Sequence, residues 1–245
     1  MKKTIKKTIK KTIKIVLSPF ILKDFFLFNK KSNDRFQLSF YDFYPCITDK
    51  TTETNFDRHY IYHTSWAARK LKEINPEYHV DISSSLFFSS ITSAFIPIKF
   101  FDYRPADLIL NNFESKYADL LNLPFEDNSI NSLSCMHVLE HIGLGRYGDD
   151  IDYDGDLKAI AELKRVLSKN GNLLFVVPVG SKAKIEFNAH RIYTFDLIKE
   201  YFSDLILKEF ALIPENSGGM VFGDVALAKI KKENHACGCF WFIKK

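Results

Sequence analysis

DLKAIAELKRVLSKNG (residues 156–171) is followed directly by NLLFVVPVG (residues 172–180). The spacing of the apolar residues changes where these two segments meet. The first segment has apolar residues every three or four positions, as an amphipathic helix does, and Asn170-Gly171 is a typical helix stop. The second segment is a nearly unbroken apolar run, which suits a strand buried on both faces of a sheet. The stretch therefore predicts a helix that leads into a central strand.

The same alternation of strands and helices continues on both sides of this stretch. Three more apolar segments predict strands, namely YHVDIS (78–83), IKFFDYR (98–104) and INSLSCMHVL (130–139). Two segments predict helices, namely DRHYIYHTSWAARKLKEINP (57–76), which ends at Pro76, and TFDLIKEYFSD (194–204), which Thr194 caps. This alternation favours an α/β fold with a doubly wound, mostly parallel sheet and helices on both faces.

The chain length suits one large domain with an N-terminal appendage. We expect a basic and apolar tail over residues 1–28, an irregular and helical extension over 29–77, and the α/β domain over 78–245. Residues 1–14 carry seven Lys and no acid, whereas the remaining chain has 27 basic and 30 acidic residues. Because the excess positive charge lies in a tail, the composition argues against nucleic acid as a partner.

The tail begins with three copies of KKTI, which place Ile5, Ile9 and Ile13 at helical spacing. Such a segment is typical either of a peripheral contact with an anionic membrane surface or of a solvated, frayed terminus. The apolar run after it is interrupted by Pro19 and Lys23, so the sequence predicts no transmembrane helix.

Four dispersed cysteines, without a cleavable signal segment, indicate free thiols in a reducing compartment, and we expect a cytoplasmic protein. They are Cys46, Cys135, Cys237 and Cys239. His235 lies close to the last two, in HACGC. Zinc takes four ligands and no second pair follows at ligand spacing, so the sequence predicts no metal site.

Residues 143–156, GLGRYGDDIDYDGD, match two unrelated motifs. A dinucleotide-binding GxGxxG turn must join a strand directly to a helix, but the helix predicted near Asp156 begins eight positions after Gly148. A calcium loop beginning at Asp150 would need a carboxylate at its twelfth position, which is Ala161. We interpret the stretch instead as an active-site loop whose glycines allow a tight path.

Acidic residues end the first two predicted strands. Asp81 closes the first strand and Asp102 closes the second, 21 residues later. Ligands of parallel sheets bind at the carboxyl ends of the strands, and an acid about 20 residues beyond the first turn is placed to bind ribose hydroxyls. The spacing therefore indicates a nucleoside-binding crevice at this edge.

Residues 117–142, YADLLNLPFEDNSINSLSCMHVLEHI, carry the most specific pattern. Together with LKRVLSKNGNLLFVVPV (163–179), this block resembles the class I S-adenosylmethionine-dependent methyltransferases. That family places an Asp-x-x-x-Leu-Pro-Phe segment before its fourth strand, and here the segment spans Asp119 to Phe125. HRIYTFDLIKEYFSDLILKEF (190–210) is similar to the family's next helix and strand.

Two shorter blocks, HVLEHIGLGRYGD (137–149) and FNAHRIY (187–193), are similar to a narrower methyltransferase-like family described as a domain of unknown function. The resemblance as a whole covers roughly residues 78–245. It implies a seven-stranded sheet and S-adenosylmethionine as the cofactor.

The resemblance also implies which strand-end residues bind the cofactor. They are Asp81, Ser83, Ser84 and Ser85 at the methionine end, Asp102 at the ribose, Asp119 and Leu120 at the adenine, and His137 at the junction of cofactor and acceptor. The family's first turn is DxGxGxG, whereas this chain has DISSSLFFSS and no glycine. The Ser83 hydroxyl could bind the methionine carboxylate or fill the pocket, and the sequence leaves both open.

Methyl transfer from a sulfonium needs a positioned acceptor, and a base only where the acceptor carries a proton. The candidate bases are His141 and His190, with Glu140 as an orienting group. The alternative is that these three side chains hold loops by hydrogen bonds.

Four polar residues are candidates for binding an anionic or hydroxyl-rich acceptor, or else form a salt-bridged rim. They are Arg146, Tyr147, Asn188 and Arg191. The sequence thus favours a methyltransferase acting on a small or carbohydrate-like acceptor, for example in cell-surface glycan synthesis. The alternative is a methyltransferase-shaped scaffold that has lost its cofactor.

Overall fold

The computed structural model describes residues 19–31, 33, 35–47 and 49–245. The chain divides into two compact units, residues 1–56 and residues 57–245. Helix 58–74, which precedes the predicted start of the α/β domain at residue 78, belongs to the unit of residues 57–245. The KKTI repeats of residues 1–14 lie outside the described residues.

The first unit contains helix α1 (Pro19–Asn29) and a 3-10 turn (Phe40–Asp42). The Phe25 ring packs edge-on against Phe40 at 5.9 Å and against Phe43 at 5.5 Å. No side chain of α1 is buried. Among the described residues, no helix is long and apolar enough to cross a membrane.

The second unit is built from five helices and ten strands. The helices are α2 (Arg58–Ile74), α3 (Leu86–Thr92), α4 (Gly155–Val166), α5 (Phe195–Tyr201) and α6 (Gly223–Ile230). The strands are β1 (His79–Ile82), β2 (Ile98–Asp102), β3 (Phe113–Tyr117), β4 (Ile130–Met136), β5 (Leu167–Val179), β6 (Lys184–Glu186), β7 (His190–Ile192), β8 (Leu205–Ile213), β9 (Val221–Phe222) and β10 (Ala236–Lys244).

Eight of these strands form one sheet in the order β3-β2-β1-β4-β5-β10-β8-β9, and β6 and β7 form a separate hairpin. Strands β1 to β5 are parallel to one another, whereas β10 is antiparallel to β5 and to β8. The predicted mostly parallel α/β sheet is confirmed. The expected number of seven strands is wrong, because β9 adds an eighth by pairing Val221 with Leu212. A two-residue strand is too short to show a hydrophobic period.

Helices cover both faces of the sheet, and consecutive residues of β5 pack into opposite cores. Phe175 lies in the cluster that contains Leu163 of α4, whereas Leu174 lies in the cluster that contains Trp66 and Leu71 of α2. All these residues are almost fully buried. The unbroken apolar run of β5 therefore has the double burial that its sequence predicted.

Local signals set both ends of α2 and the start of α5. Asp57 caps α2 by accepting a hydrogen bond from the Tyr60 N–H, and Asn75 ends it at φ 48° just before Pro76. The Thr194 hydroxyl accepts the Leu197 N–H at 3.2 Å and caps α5 as predicted. Helix α4 ends at Val166, not at Asn170.

The early end of α4 has a tertiary cause. Residues 167–171 already belong to β5, where Leu167 pairs with Ile130 of β4. Asn170 adopts φ 60° within the strand, at an irregularity in the pairing with β4. Strand pairing therefore replaced the last predicted helical turn.

Candidate functional site

The first turn after β1 is anchored from below by Asp81, whose side chain is fully buried. Its carboxylate accepts hydrogen bonds from the Ser89 and Ser134 hydroxyls. Burial raises its pKa to about 6. Ser134 also bonds His79 Nε2 at 2.8 Å, and His79 Nδ1 bonds the Ser132 hydroxyl at 2.7 Å. The structure thus places Asp81 in a buried polar network beneath the turn.

The glycine-free turn closes with serines. Ser83 adopts φ 53°, and its N–H donates to the Phe101 carbonyl at 2.7 Å. The Ser84 hydroxyl accepts the Met136 N–H at 3.1 Å. Ser85 precedes α3 with φ −75° and makes no side-chain capping bond. Ser83 therefore adopts the left-handed conformation that glycine would supply in the family's turn.

Asp102 and Asp119 lie at or just beyond the ends of neighbouring strands, at the same edge of the sheet as this turn. Asp102 closes β2, and its carbonyl accepts the Ala118 N–H at 3.1 Å, which brings the residue after β3 next to it. The Asp102 carboxylate accepts the Arg104 N–H at 2.6 Å, and the Asp119 carboxylate accepts the Leu121 N–H at 2.8 Å. Both carboxylates are half-buried.

The adjoining Leu120 side chain is 5% exposed and belongs to the core. Only the backbone of Leu120 is therefore placed to meet a ligand.

A buried carboxylate between two imidazoles follows β4. Glu140 is 1% exposed, and burial raises its pKa to about 7. Its Oε1 lies 2.9 Å from His137 Nδ1 and 3.8 Å from His141 Nε2, while its Oε2 is buried without a hydrogen-bond partner. His141 Nδ1 bonds the Ala189 carbonyl at 2.7 Å, so that nitrogen carries the proton and Nε2 is the basic one. Burial lowers the pKa of His141.

Six of the seven histidines form one continuous set of ring contacts around this carboxylate. The contacts, between ring centroids, are His63–His137 at 5.0 Å, His59–His137 at 5.7 Å, His59–His235 at 5.4 Å, His190–His235 at 4.9 Å and His141–His190 at 6.5 Å. His59, His63 and His235 were not among the residues predicted for the site. The four-residue spacing in HYIYH was the only available signal that His59 and His63 share a helix face.

Cys237 extends the histidine cluster. Its Sγ lies 3.4 Å from His137 Nε2, and the ligand atoms of His59, His137 and Cys237 all lie within 4.8 Å of one another. Burial raises the pKa of the Cys237 thiol well above its usual range. From the sequence, Cys237 was grouped only with His235 and Cys239, in HACGC.

The residues predicted to bind an acceptor separate into two groups. Arg146 donates to the Ala189 carbonyl at 2.8 Å, and its guanidinium lies 5.2 Å from the Tyr147 ring. Tyr147 is 44% exposed and contacts His141 edge-on at 5.7 Å. Asn188 is exposed on the β6–β7 turn. Arg146 and Tyr147 therefore form an accessible rim beside His141.

Arg191 has a different role from Arg146. It is 5% exposed and donates to the carbonyls of Ile142 and Tyr153 at 2.6 and 2.9 Å. Its Nε lies 3.6 Å from the Asp156 carboxylate. These bonds fasten both ends of the loop after β4 to strand β7.

Solved structures share this architecture. A candidate sarcosine dimethylglycine methyltransferase from Galdieria sulphuraria superposes with a TM-score of 0.52 at 15% identity, covering 74% of this chain and 85% of that one. A candidate methyltransferase in complex with the Haloferax volcanii Trm112 methyltransferase activator gives 0.51 at 16% identity, covering 76% and 90%. The chain has the class I methyltransferase fold.

Sequence comparisons match shorter parts of this methyltransferase-fold chain. Residues 103–202 match a family described as Caenorhabditis protein of unknown function, DUF268. A curated relative, the uncharacterised protein MJ0638 of Methanocaldococcus jannaschii, is 37% identical over 60 residues. That match spans 24% of this chain and 21% of the relative.

In this methyltransferase fold, the ambiguous loop after β4 is organised by its own acids. The Asp149 carboxylate accepts the N–H groups of Gly143 at 2.8 Å and Tyr147 at 3.1 Å, which lowers its pKa. Asp152 pairs with Lys158 at 2.6 Å. The GxGxxG pattern therefore encloses a carboxylate of the same chain and forms a structured loop.

The candidate base His190 lies at the outer side of the cluster. Its Nε2 is 3.4 Å from a Glu186 carboxylate oxygen, and its ring stacks on His235 at 4.9 Å. Burial and the neighbouring His235 lower the pKa of His190. His141, which contacts both Glu140 and the accessible rim, is better placed than His190 to meet an acceptor.

Proposed function

We propose that the protein is an S-adenosylmethionine-dependent methyltransferase acting on a small, hydroxyl-rich or anionic acceptor. One observation carries the proposal. Asp102 and Asp119 lie at adjoining strand ends, on the sheet edge where Glu140 and His141 follow β4. Acids suited to a nucleoside and a candidate base therefore share one edge of a methyltransferase fold.

The residues at this edge fit the proposed cofactor, which supplies an electrophilic methyl group when bound. Asp102 would bind the ribose hydroxyls, and Asp119 with the Leu120 backbone would border the adenine. The Ser83–Ser85 turn would face the methionine end. The buried Asp81 would act through the turn it anchors, because its carboxylate is enclosed by Ser89 and Ser134.

His141 is the proposed general base. Its Nδ1–H is held by the Ala189 carbonyl, which leaves the Nε2 lone pair for the acceptor proton. Glu140 would stabilise the imidazolium formed when that proton arrives. Arg146 and Tyr147 on the accessible rim would bind the acceptor. Their cationic and phenolic groups suit an anionic or carbohydrate-like molecule, such as an intermediate of glycan synthesis.

Thermal unfolding with S-adenosylhomocysteine tests cofactor binding without knowledge of the acceptor. At 100 times its dissociation constant, a ligand stabilises the folded state by about 2.7 kcal/mol. For this chain length we expect a rise in Tm of roughly 5–10 °C.

Asp102→Ala should reduce the rise in Tm, whereas Asp107→Ala, at an exposed position on the same segment, should preserve it. An unchanged Tm of the native chain at millimolar ligand would favour the alternative, a methyltransferase-shaped scaffold.

The N-terminal segment supports a second proposal, peripheral contact with an anionic membrane. The Lys-rich residues 1–14 precede helix α1, which exposes Phe20 (82%), Phe26 (57%) and Phe28 (66%). Basic residues beside exposed aromatics suit such a surface. Deleting residues 1–14 should abolish co-sedimentation with phosphatidylserine vesicles, and equal sedimentation of both proteins would refute the contact.

A further inference from the structure

We infer that His59, His137 and Cys237 form a binding site for a divalent transition-metal ion, zinc above all, with the fourth coordination position open. The three ligands come from three elements. His59 lies in the first turn of α2, His137 directly follows β4, and Cys237 lies in β10. All three belong to the unit of residues 57–245.

The separations of the ligand atoms match zinc coordination. Zn–N bonds of about 2.0 Å and Zn–S bonds of about 2.3 Å place tetrahedral nitrogen and sulfur ligands roughly 3.6 Å apart. His137 Nε2 and Cys237 Sγ are 3.4 Å apart, and the His59 ligand atom lies within 4.8 Å of both. The His59 ring stacks on the His137 ring at 5.7 Å, so binding an ion requires the half-buried His59 side chain to rotate toward the other two ligands.

The hydrogen bonding of His137 prepares it as a ligand. Its Nδ1 bonds Glu140 Oε1 at 2.9 Å, so the proton of the neutral imidazole lies on Nδ1. Nε2, the nitrogen near Cys237, then carries the lone pair. A carboxylate behind the ligating imidazole is the usual outer-shell arrangement of zinc sites, because it fixes the tautomer and the ring orientation.

A second, independent observation points to a missing group. His63 is fully buried, and its ring contacts the His137 ring at 5.0 Å. Its Nδ1 bonds the His59 carbonyl at 2.6 Å, while its Nε2 is buried with no hydrogen-bond partner. Buried polar atoms are nearly always paired. The imidazole beside His137 therefore carries a buried nitrogen without the partner that such atoms normally have.

The donor set selects the class of ion. These side chains bind a metal as neutral imidazoles and a thiolate, so an ion that binds here releases the thiol proton of Cys237. One thiolate with two imidazoles suits zinc and its transition-metal neighbours, whereas calcium and magnesium prefer oxygen ligands. Three protein ligands with an open position is the arrangement of zinc sites that bind a further molecule.

The inference does not depend on the proposed methyl transfer, because metal binding is measured without cofactor or acceptor. The full chain, stripped by a chelator and titrated with Zn²⁺, should bind one ion. With Co²⁺ it should show a thiolate-to-cobalt charge-transfer band and the intense visible bands of tetrahedral cobalt. The absence of a stoichiometric complex in the native chain would overturn the site.

Variants identify the ligands. Cys237→Ser should abolish the charge-transfer band, and His59→Gln should weaken zinc binding by at least about tenfold. Cys46→Ser and Cys135→Ala remove thiols outside the site and should change neither measurement. A charge-transfer band that persists in a folded Cys237→Ser protein would also refute the assignment. If that variant does not fold, His59→Gln decides, because His59 is only half-buried.

Discussion

Ser83 holds the backbone of the first turn in a conformation that costs most side chains about 1–2 kcal/mol. At φ 53°, its N–H and hydroxyl both donate to the Phe101 carbonyl, at 2.7 and 3.2 Å. The serine is therefore strained locally but bonded well, and its hydroxyl is turned toward β2.

Replacing Ser83 with glycine separates backbone strain from hydrogen bonding. Ser83→Gly should leave stability unchanged or raise it by up to about 1 kcal/mol, because glycine adopts positive φ without penalty. Ser85→Gly is the matched control at φ −75° and should lose about 0.5 kcal/mol through backbone entropy. Urea unfolding measures both, and a Ser83→Gly protein less stable than Ser85→Gly would contradict the strain.

The Glu140 carboxylate should keep the pKa of His141 higher than burial alone would allow. The pKa of His141 is lowered by burial and raised by the nearby Glu140 carboxylate. Glu140→Gln should therefore lower the pKa of His141 further, as measured by NMR titration of the histidine ring protons.

Glu186→Gln is the control for this titration, because Glu186 raises the pKa of His190. It should lower the pKa of His190 and leave that of His141 unchanged. An unaltered His141 titration in Glu140→Gln would remove Glu140 as its partner.

At the scale of elements, the loop between β4 and α4 depends on one close approach. A Cβ at Gly143, where φ is 76°, would lie 2.1 Å from the Asp152 carbonyl oxygen. Gly148 has φ 88°, but no atom lies within 4 Å of its Cβ position. The two glycines of one sequence motif therefore differ in their tolerance of a side chain.

Alanine substitutions test this difference. Gly143→Ala combines the cost of positive φ with a steric clash and should destabilise the fold by about 3 kcal/mol. Gly148→Ala should cost only about 1–2 kcal/mol, from the backbone alone. Equal losses in urea unfolding would show that the loop moves freely away from Asp152.

Element prediction from the sequence succeeded where a signal was local. Pro76 correctly predicted the end of α2, and Thr194 correctly predicted the start of α5. Prediction failed where pairing with a distant strand competed with the local preference for helix or loop. Leu167 pairs with Ile130 instead of continuing α4, and β9 exists only because it lies against β8.

At the scale of the whole molecule, a buried polar network crosses the centre of the sheet. His79 is fully buried between Ser132 and Ser134, and burial lowers its pKa to about 3. Asp81, which shares Ser134, has its pKa raised to about 6. A fall in pH therefore lowers the stability of the folded protein through His79 and raises it through Asp81.

This network predicts a dependence of stability on pH. In the unfolded chain His79 takes up a proton below its ordinary pKa of 6.5, but in the folded protein only near 3. Stability is thus lost as pH falls, by about 2 kcal/mol for His79 between pH values of about 7 and 5. Asp81 opposes this loss by binding its proton earlier in the folded state.

His79→Leu isolates the contribution of His79. It should be less stable at neutral pH, because it leaves Ser132 without its imidazole partner, yet it should lose about 2 kcal/mol less on acidification. Urea unfolding of metal-free protein at the two pH values gives the difference. If the native protein and His79→Leu lost the same free energy of unfolding on acidification, His79 would have to be protonated in the folded state.

The sequence by itself determined the α/β alternation, the double burial of β5 and the position of Asp102 at the end of β2, because hydrophobic period and chain order carry that information. It placed the end of the first strand one residue early, at Asp81, because β1 continues to Ile82. Only the tertiary structure decided that Asp81 is enclosed and that Arg191 fastens a loop. It alone brought His59, His137 and Cys237 together from α2, β4 and β10. The physical reason is that burial and contact depend on which distant segments pack against a residue, and no local pattern records them.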